Sequence, residues 1–107
     1  MDLGLLYKAL DQRQVSMVAA NATDGQLSVL DLLVLKDDKR YFLPYDCGLV
    51  VRAELLKDNP SLRQALIELA GRFTDLTMRK LNYQVDGEHR PVRDVAEQFL
   101  REAGLLR

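Results

Sequence analysis

Residues 20–46 read ANATDGQLSVLDLLVLKDDKRYFLPYD, and this stretch decides how the rest of the chain is interpreted. It opens with a polar turn at residues 21–25, in which Asp24 and Gly25 supply a permissive backbone. A second apolar run, residues 32–35, leads into the charged turn at residues 36–40. An aromatic segment, Tyr41-Phe42-Leu43-Pro44-Tyr45-Asp46, closes the stretch.

Three short apolar runs predict β-strands around this stretch. Residues 15–20 are β-branched at their start and lead into the polar turn, while residues 32–35 are continuously apolar. Residues 47–52 form the third run, entered through Pro44, which cannot donate to a ladder and so marks an edge or a strand start. Runs of this length and composition are typical of buried strands, and we expect a short mixed sheet.

Helical periodicity dominates the remaining chain. Apolar spacing predicts a first helix over residues 3–12, with Tyr7 and Lys8 turned outward to the edge of the core. Four more helices are predicted: residues 53–57, a helix from Pro60 to Gly71, one capped by Thr74 or Asp75 and ended by Gly87, and one from Pro91 to Gly104. The predicted fold class is therefore α/β, with a short mixed sheet and helices concentrated at the C-terminal end.

Composition excludes several classes of function. The 107 residues carry a formal net charge of -1 with both signs spread along the chain, so the basic patch of a nucleic-acid-binding protein is absent. No run of residues approaches the roughly 20 apolar positions of a membrane span. The first eight residues lack the basic start and apolar stretch of a signal peptide. One cysteine rules out an internal disulfide.

Catalytic and metal-binding patterns are also missing. The chain has one histidine and one cysteine, neither at metal-ligand spacing, and it contains no glycine-rich nucleotide-binding motif. His89 lies in a polar turn and is expected to be exposed, and Cys47 is expected to be a small buried apolar residue. We therefore predict no catalytic residues, no metal ligands, no cofactor and no enzymatic activity.

Two places in the sequence are candidate contacts for a small ligand. Asn21, Thr23 and Asp24 directly follow the first predicted strand, and ligands of open α/β sheets gather at the carboxyl ends of strands. The alternative is a turn that is held by its own side-chain caps. Tyr41 and Tyr45 flank Pro44, where a rigid aromatic ring can wall a pocket for a cation, although the pattern alone favours packing as the role of both rings.

Five segments in this order resemble one known family. They are GLLYKAL (4–10), ATDG (22–25), DLLVLKDDKRYFLPYD (31–46), LNYQVDGE (81–88) and VAEQFLREAGLL (95–106). Together they resemble the C-terminal portion of the substrate-binding proteins that serve ABC importers of glycine betaine, choline and carnitine. The resemblance runs over nearly the whole chain.

This resemblance implies a partial periplasmic-binding-protein type II fold. Complete members have two lobes that close over a ligand held between them. By position in the family, residues 1–31 are expected to be the end of one lobe, residues 32–37 a crossover or hinge, and residues 38–107 the C-terminal part of the other lobe. The chain is thus expected to be one segment of a substrate-binding domain.

The resemblance also implies roles for individual residues. Tyr45 matches an aromatic residue of the ligand cleft, where many relatives read PPYD instead of LPYD. Thr23 and Asp24 match a turn that faces the cleft. Many relatives carry a tyrosine that helps to cage a quaternary ammonium group where this chain has Asn21, which leaves room for a more polar solute. The expected ligand-binding residues are Asn21, Thr23, Asp24 and Tyr45.

Two functional hypotheses follow. The first is a solute-binding segment of an osmoprotectant importer, whose partners are a quaternary amine or related polar solute and an ABC permease, with no nucleic acid. Its expected location is the periplasmic or extracytoplasmic face of the membrane, as part of a longer protein. The second is an interaction module that binds no ligand itself. Strands left without upstream partners would expose their edges and favour a homodimer, including a domain-swapped one.

Overall fold

A computed structural model describes residues 3–106 of the chain. Within this range there are five α-helices: α1 (Leu3–Asp11), α2 (Ala53–Asp58), α3 (Pro60–Ile67), α4 (Asp75–Asp86) and α5 (Val92–Glu102). A short 3₁₀-helix spans Gly25–Ser28. The five helices lie where helical periodicity predicts them, with ends that differ by a few residues. Each helix in this range is too short or too polar to span a lipid bilayer.

Local signals explain several of the helix ends. The Thr74 hydroxyl caps α4 by accepting a hydrogen bond from the backbone N–H of Thr77 at 3.1 Å. Pro60 occupies the first position of α3, where its missing N–H and fixed φ cost little. Gly104 follows α5 with a φ of +72°, a left-handed conformation that glycine adopts without a steric penalty. These are the capping and stop residues that the sequence predicts.

The described residues divide into two compact units. One unit combines the chain up to Leu33 with the chain from Thr74 onward, and the other is Val34–Phe73. The chain leaves the first unit within the predicted crossover at residues 32–37. The predicted assignment of residues 1–31 and 38–107 to two lobes concerns a complete binding protein and stays a prediction.

The first unit packs α1, the 3₁₀-helix, α4 and α5 around a small core. Tyr7 of α1 and Val95 of α5 are each only 4% exposed. The prediction that Tyr7 turns outward is therefore wrong, because its ring is buried and its hydroxyl finds a partner inside the unit. Arg90 links two helices of this unit by donating to the side-chain oxygens of Gln84 and Gln98, both at 2.7 Å.

The second unit consists of an extended segment, residues 34–52, followed by α2 and α3. At its start the Asp37 carboxylate accepts hydrogen bonds from the backbone N–H groups of Tyr41 and Phe42, at 2.9 and 2.8 Å. The rings of Tyr41 and Phe42 meet edge to face, with their centroids 5.2 Å apart. Asp37 thus holds the charged turn that the sequence predicts here.

The predicted mixed sheet is not found in residues 3–106. Residues 15–20, 32–35 and 47–52 contain no strand, although the sequence predicted one in each. A β-strand forms only through ladder hydrogen bonds with a neighbour, and apolar β-branched residues indicate a preference for extended backbone without supplying that neighbour. The α/β prediction is therefore wrong about the sheet in the described part of the chain and right about the helices.

Candidate functional site

The polar turn at residues 21–24 is held by the Asp24 carboxylate. Its Oδ2 atom accepts a hydrogen bond from the Tyr7 hydroxyl at 2.8 Å and another from the backbone N–H of Asn21 at 3.1 Å. The backbone N–H of Asp24 in turn donates to the carbonyl oxygen of Asn21 at 3.1 Å. The turn is therefore closed on itself by Asp24 and tied to α1 through Tyr7.

The Tyr7 phenol is a strong and stable donor in this arrangement. Burial raises the pKa of Tyr7 well above its usual range, and the hydrogen bond to the negative Asp24 carboxylate raises it further. The positive charge of Arg79 opposes this shift in pKa without cancelling it. The phenol consequently keeps its proton throughout the neutral pH range and continues to donate to Asp24.

Helix α4 fixes the same turn from a second direction. The Arg79 guanidinium donates from Nε to the carbonyl oxygen of Ala22 at 2.5 Å. The Asn82 amide donates from Nδ2 to the carbonyl oxygen of Thr23 at 2.8 Å. Sequence reasoning missed both residues, because isolated polar positions on a helix do not differ in pattern from positions that face water.

A close approach of backbones explains why Gly25 follows the turn. A Cβ atom placed on Gly25 would lie 2.7 Å from the backbone nitrogen of Tyr83 and 2.8 Å from its Cα atom. Gly25 is itself buried. Only a residue without a side chain lets the 3₁₀-helix contact α4 this closely.

The side chains of the turn that are open to a ligand are those of Asn21 and Thr23. Asn21 is exposed, and Thr23 and Asp24 are half-buried. Among residues 3–106, neither the Asn21 amide nor the Thr23 hydroxyl makes a hydrogen bond to protein. The turn therefore combines a fixed backbone with two uncommitted polar side chains.

Tyr45 lies in the second unit, with its side chain 100% exposed. Its ring has no packing partner that would account for it as a core residue of that unit. Asn21, Thr23 and Asp24 lie in the first unit. Participation of Tyr45 and the turn in one common site stays a prediction.

The second unit also contains a shallow apolar groove of about 360 Å³. It is bounded by the end of the extended segment and by one side of α2 and α3, with one cation, Arg63, at its edge. The lining residues are Leu49, Val51, Leu56, Arg63, Leu66, Ile67 and Ala70.

The remaining reactive residues form no site. Cys47 is exposed, so the prediction that it is a buried apolar residue is wrong. His89 is exposed in the turn after α4, as predicted. Within the part of the chain that the structure describes, no three histidine, cysteine, aspartate or glutamate side chains are grouped so that they could hold a metal ion.

Comparison with known families identifies the chain. Residues 1–102 match the family described as the substrate-binding domain of ABC-type glycine betaine transport systems. The chain belongs to this family. The resemblance of the five sequence segments is thereby confirmed. The family is one of transport substrate-binding domains, not of enzymes.

Individual relatives of this substrate-binding domain are named for different solutes. A glycine-betaine-binding protein of Pseudomonas aeruginosa is 43% identical over 99% of this chain and 34% of its own length. A carnitine transport binding protein of Listeria monocytogenes is 37% identical over 95% of this chain and 33% of its own length. An ergothioneine transport permease and binding protein of Helicobacter pylori is 39% identical over 98% of this chain and 19% of its own length.

A solved structure gives the fold of the family. The crystal structure of a glycine betaine/carnitine/choline ABC transporter protein superimposes with a TM-score of 0.92 at 37% sequence identity, over 98% of this chain and 39% of that chain. The backbone described here is thus the backbone of a substrate-binding protein over that portion. The chain spans about a third of the length of the binding proteins that it matches.

Proposed function

We propose that this chain is a solute-binding segment of an ABC importer for glycine betaine, choline or a related quaternary amine. Membership of the substrate-binding family over residues 1–102 supports the solute class. The structural observation that carries the proposal is the turn at residues 21–24, which Arg79 and Asn82 bind at its backbone and Tyr7 binds at the Asp24 carboxylate. Such a turn offers polar side chains to a ligand at a low entropic cost, because its backbone is already ordered.

Each candidate residue has a distinct proposed role. The exposed ring of Tyr45 offers its face to a quaternary ammonium group, a contact that contributes about 0.5 to 2 kcal/mol. Asn21 and Thr23 donate or accept hydrogen bonds at the polar end of the solute. Asp24 contributes negative charge near the ligand while its Oδ2 atom holds the turn.

The wider setting is proposed from the same family membership. The segment works within a two-lobed type II binding protein, in which the lobes close over the solute and deliver it to an ABC permease. Its location is the extracytoplasmic face of the membrane. The activity needs no cofactor and no chemical step, because binding and release of the solute suffice.

Thermal denaturation with added solute tests the proposal. The protein as its gene encodes it is melted with and without glycine betaine, choline and carnitine. A solute at about 100 times its Kd stabilises the folded state by about 2.7 kcal/mol. Tyr45→Ala is expected to reduce this shift because it weakens solute binding, and Leu43→Ala, at another exposed position of the same segment, is expected to retain it in full. A protein whose melting temperature no solute raises would contradict the proposal.

We keep one alternative, an interaction module without a ligand of its own. It is favoured by the row of exposed apolar side chains in the extended segment: Val34, Leu35, Tyr41, Phe42, Leu43, Tyr45, Leu49 and Val50. An exposed apolar surface of this kind is typical of a contact region. Light scattering with and without the three solutes separates the two functions. A homodimer that binds none of them, whether domain-swapped or not, supports the interaction module. A monomer that binds a solute excludes it.

A further inference from the structure

Two residues of α4 donate hydrogen bonds to the carbonyl oxygens of adjacent residues in the turn. Arg79 and Asn82 are three positions apart and so lie on one face of the helix. Arg79 donates to the carbonyl of Ala22 and Asn82 to the carbonyl of Thr23, across 57 and 59 residues of chain. Successive residues of the turn are thus bound by successive donors on a rigid element.

Tyr7 of α1 supplies the third contact, to the carboxylate of Asp24. Residues 22, 23 and 24 are therefore each held by one side chain, and these side chains come from two different helices. None of the three contacts uses the side chain of Asn21 or Thr23. The contacts restrain the backbone that carries these two side chains and leave their polar groups available.

Stability alone does not account well for the contact between Arg79 and the carbonyl of Ala22. Ala22 is exposed, and water can solvate the carbonyl of an exposed turn. A hydrogen bond that replaces water in this way has a small net effect on the free energy of unfolding. Its larger effect is to reduce the number of conformations of the turn, which matters when the turn must meet a ligand.

We propose that Arg79, Asn82 and Tyr7 are positioning residues for solute recognition by the turn at residues 21–24. They touch no solute and act through the backbone that presents Asn21 and Thr23. This inference rests on the proposed function, since it assigns a supporting set of residues to the same site. Loss of one contact leaves the binding groups present and makes their arrangement less ordered.

Asn82→Asp is the sharpest variant, because it keeps the size of the side chain and removes the Nδ2 donor. Arg79→Lys is a second, milder variant that keeps the positive charge and removes the guanidinium donor. Lys80→Ala is the matched control, since Lys80 is exposed on the same helix and its side chain makes no hydrogen bond among the described residues. All variants are made in the protein as its gene encodes it.

Two measurements are made at a temperature well below melting. Isothermal titration gives the Kd for glycine betaine, choline and carnitine, and hydrogen exchange reports the amides of Asn21 and Asp24, which are both hydrogen-bonded inside the turn. We expect Asn82→Asp to raise the Kd about tenfold, which corresponds to about 1.4 kcal/mol. We expect faster exchange of both amides in Asn82→Asp and Arg79→Lys, and no change of either quantity in Lys80→Ala.

The outcomes distinguish this inference from the proposed function. If the unmodified protein binds a solute and both variants bind it with a Kd within twofold of that value, the positioning role is overturned and the proposed function stands. This holds even if the melting temperatures of the variants fall. Unchanged amide exchange in both variants overturns it as well. An unmodified protein that binds none of the three solutes overturns the proposed function and this inference together. If Asn82→Asp fails to fold, Arg79→Lys decides by the same criteria.

Discussion

Asp24 is the residue on which the local geometry of the turn depends. From the sequence Asp24 was a candidate either to contact a ligand or to hold its own turn, and the structure shows that its Oδ2 atom holds the turn. The partner is the buried Tyr7 hydroxyl, 17 residues away along the chain. The stability of the turn is thus linked to a single phenol of α1.

Removing that phenol oxygen is expected to destabilise the first unit. Tyr7→Phe leaves the ring in place and takes one donor from the carboxylate. Hydrogen bonds to charged groups contribute about 1.5–3 kcal/mol to the free energy of unfolding, and we expect a loss in this range by urea denaturation. Tyr41→Phe is the control, because Tyr41 is exposed and its hydroxyl bonds to none of the described residues. Equal stabilities of the two variants would contradict the role of Tyr7.

The same phenol predicts a dependence of stability on alkaline pH. Because the pKa of Tyr7 is raised in the folded state, the unfolded chain loses this proton first, at a pKa of about 10. Rising pH above about 10 therefore favours unfolding, and the contribution of Tyr7 is complete only below that pH. We expect the difference in stability between the unmodified protein and Tyr7→Phe to shrink from pH 9 to pH 11. If the difference in stability between the two proteins stays constant from pH 9 to pH 11, ionisation of Tyr7 is not coupled to folding.

For individual residues, the sequence predicted the members of the turn and missed the side chains that hold the turn in place. Asn21, Thr23 and Asp24 could be chosen because polar residues after an apolar run form a local pattern. Arg79 and Asn82 could not be chosen, because their partners lie more than 50 residues away and nothing local distinguishes them. Tyr7 was predicted to turn outward, although its spacing from Leu3 and Leu10 places it on the same face of α1 as these leucines.

At the scale of elements, the contact between the 3₁₀-helix and α4 depends on one missing side chain. Gly25→Ala would push a methyl group against the backbone of Tyr83, which cannot move aside as a flexible side chain would. Such overpacking costs about 1–3 kcal/mol, and we expect a lower melting temperature by circular dichroism. Gly48→Ala is the matched control, since a Cβ there meets nothing within 4 Å. If both glycine variants melt alike, the close approach is not a constraint on the fold.

Helices and strands differed in how well the sequence predicted them. Each helix carries its own evidence, such as the Thr74 cap or Pro60 in the first turn, because its hydrogen bonds join residues four apart. A strand depends on a neighbour that can lie anywhere in the sequence. The run at residues 47–52 has the right composition for a strand, and no such neighbour is found among residues 3–106.

At the scale of the molecule, the two units are expected to differ in resistance to proteases. The extended segment of the second unit carries exposed Lys36, Lys39 and Arg40, and its backbone is not held in a helix or a sheet. Exposed backbone outside helices and sheets is the preferred substrate of proteases. We expect limited trypsin digestion of the 107-residue chain to cut first at these three residues, as read by mass spectrometry. First cleavage within α4, at Arg79 or Lys80, would contradict this order.

The division of the first unit into two sequence pieces also affects how it folds. The 40 residues from Val34 to Phe73 separate Leu33 from Thr74, so the two sequence pieces of the first unit come together only by closing a loop of this length. For a flexible loop of this length the entropic cost is about 3 kcal/mol plus a constant, and it changes by only about 0.6 kcal/mol when the loop doubles. Folding of the first unit is therefore expected to be slow, since the native contacts between its two pieces join residues that are distant in sequence. The length of the Val34–Phe73 segment can therefore change during evolution at little thermodynamic cost to the unit whose two sequence pieces flank it.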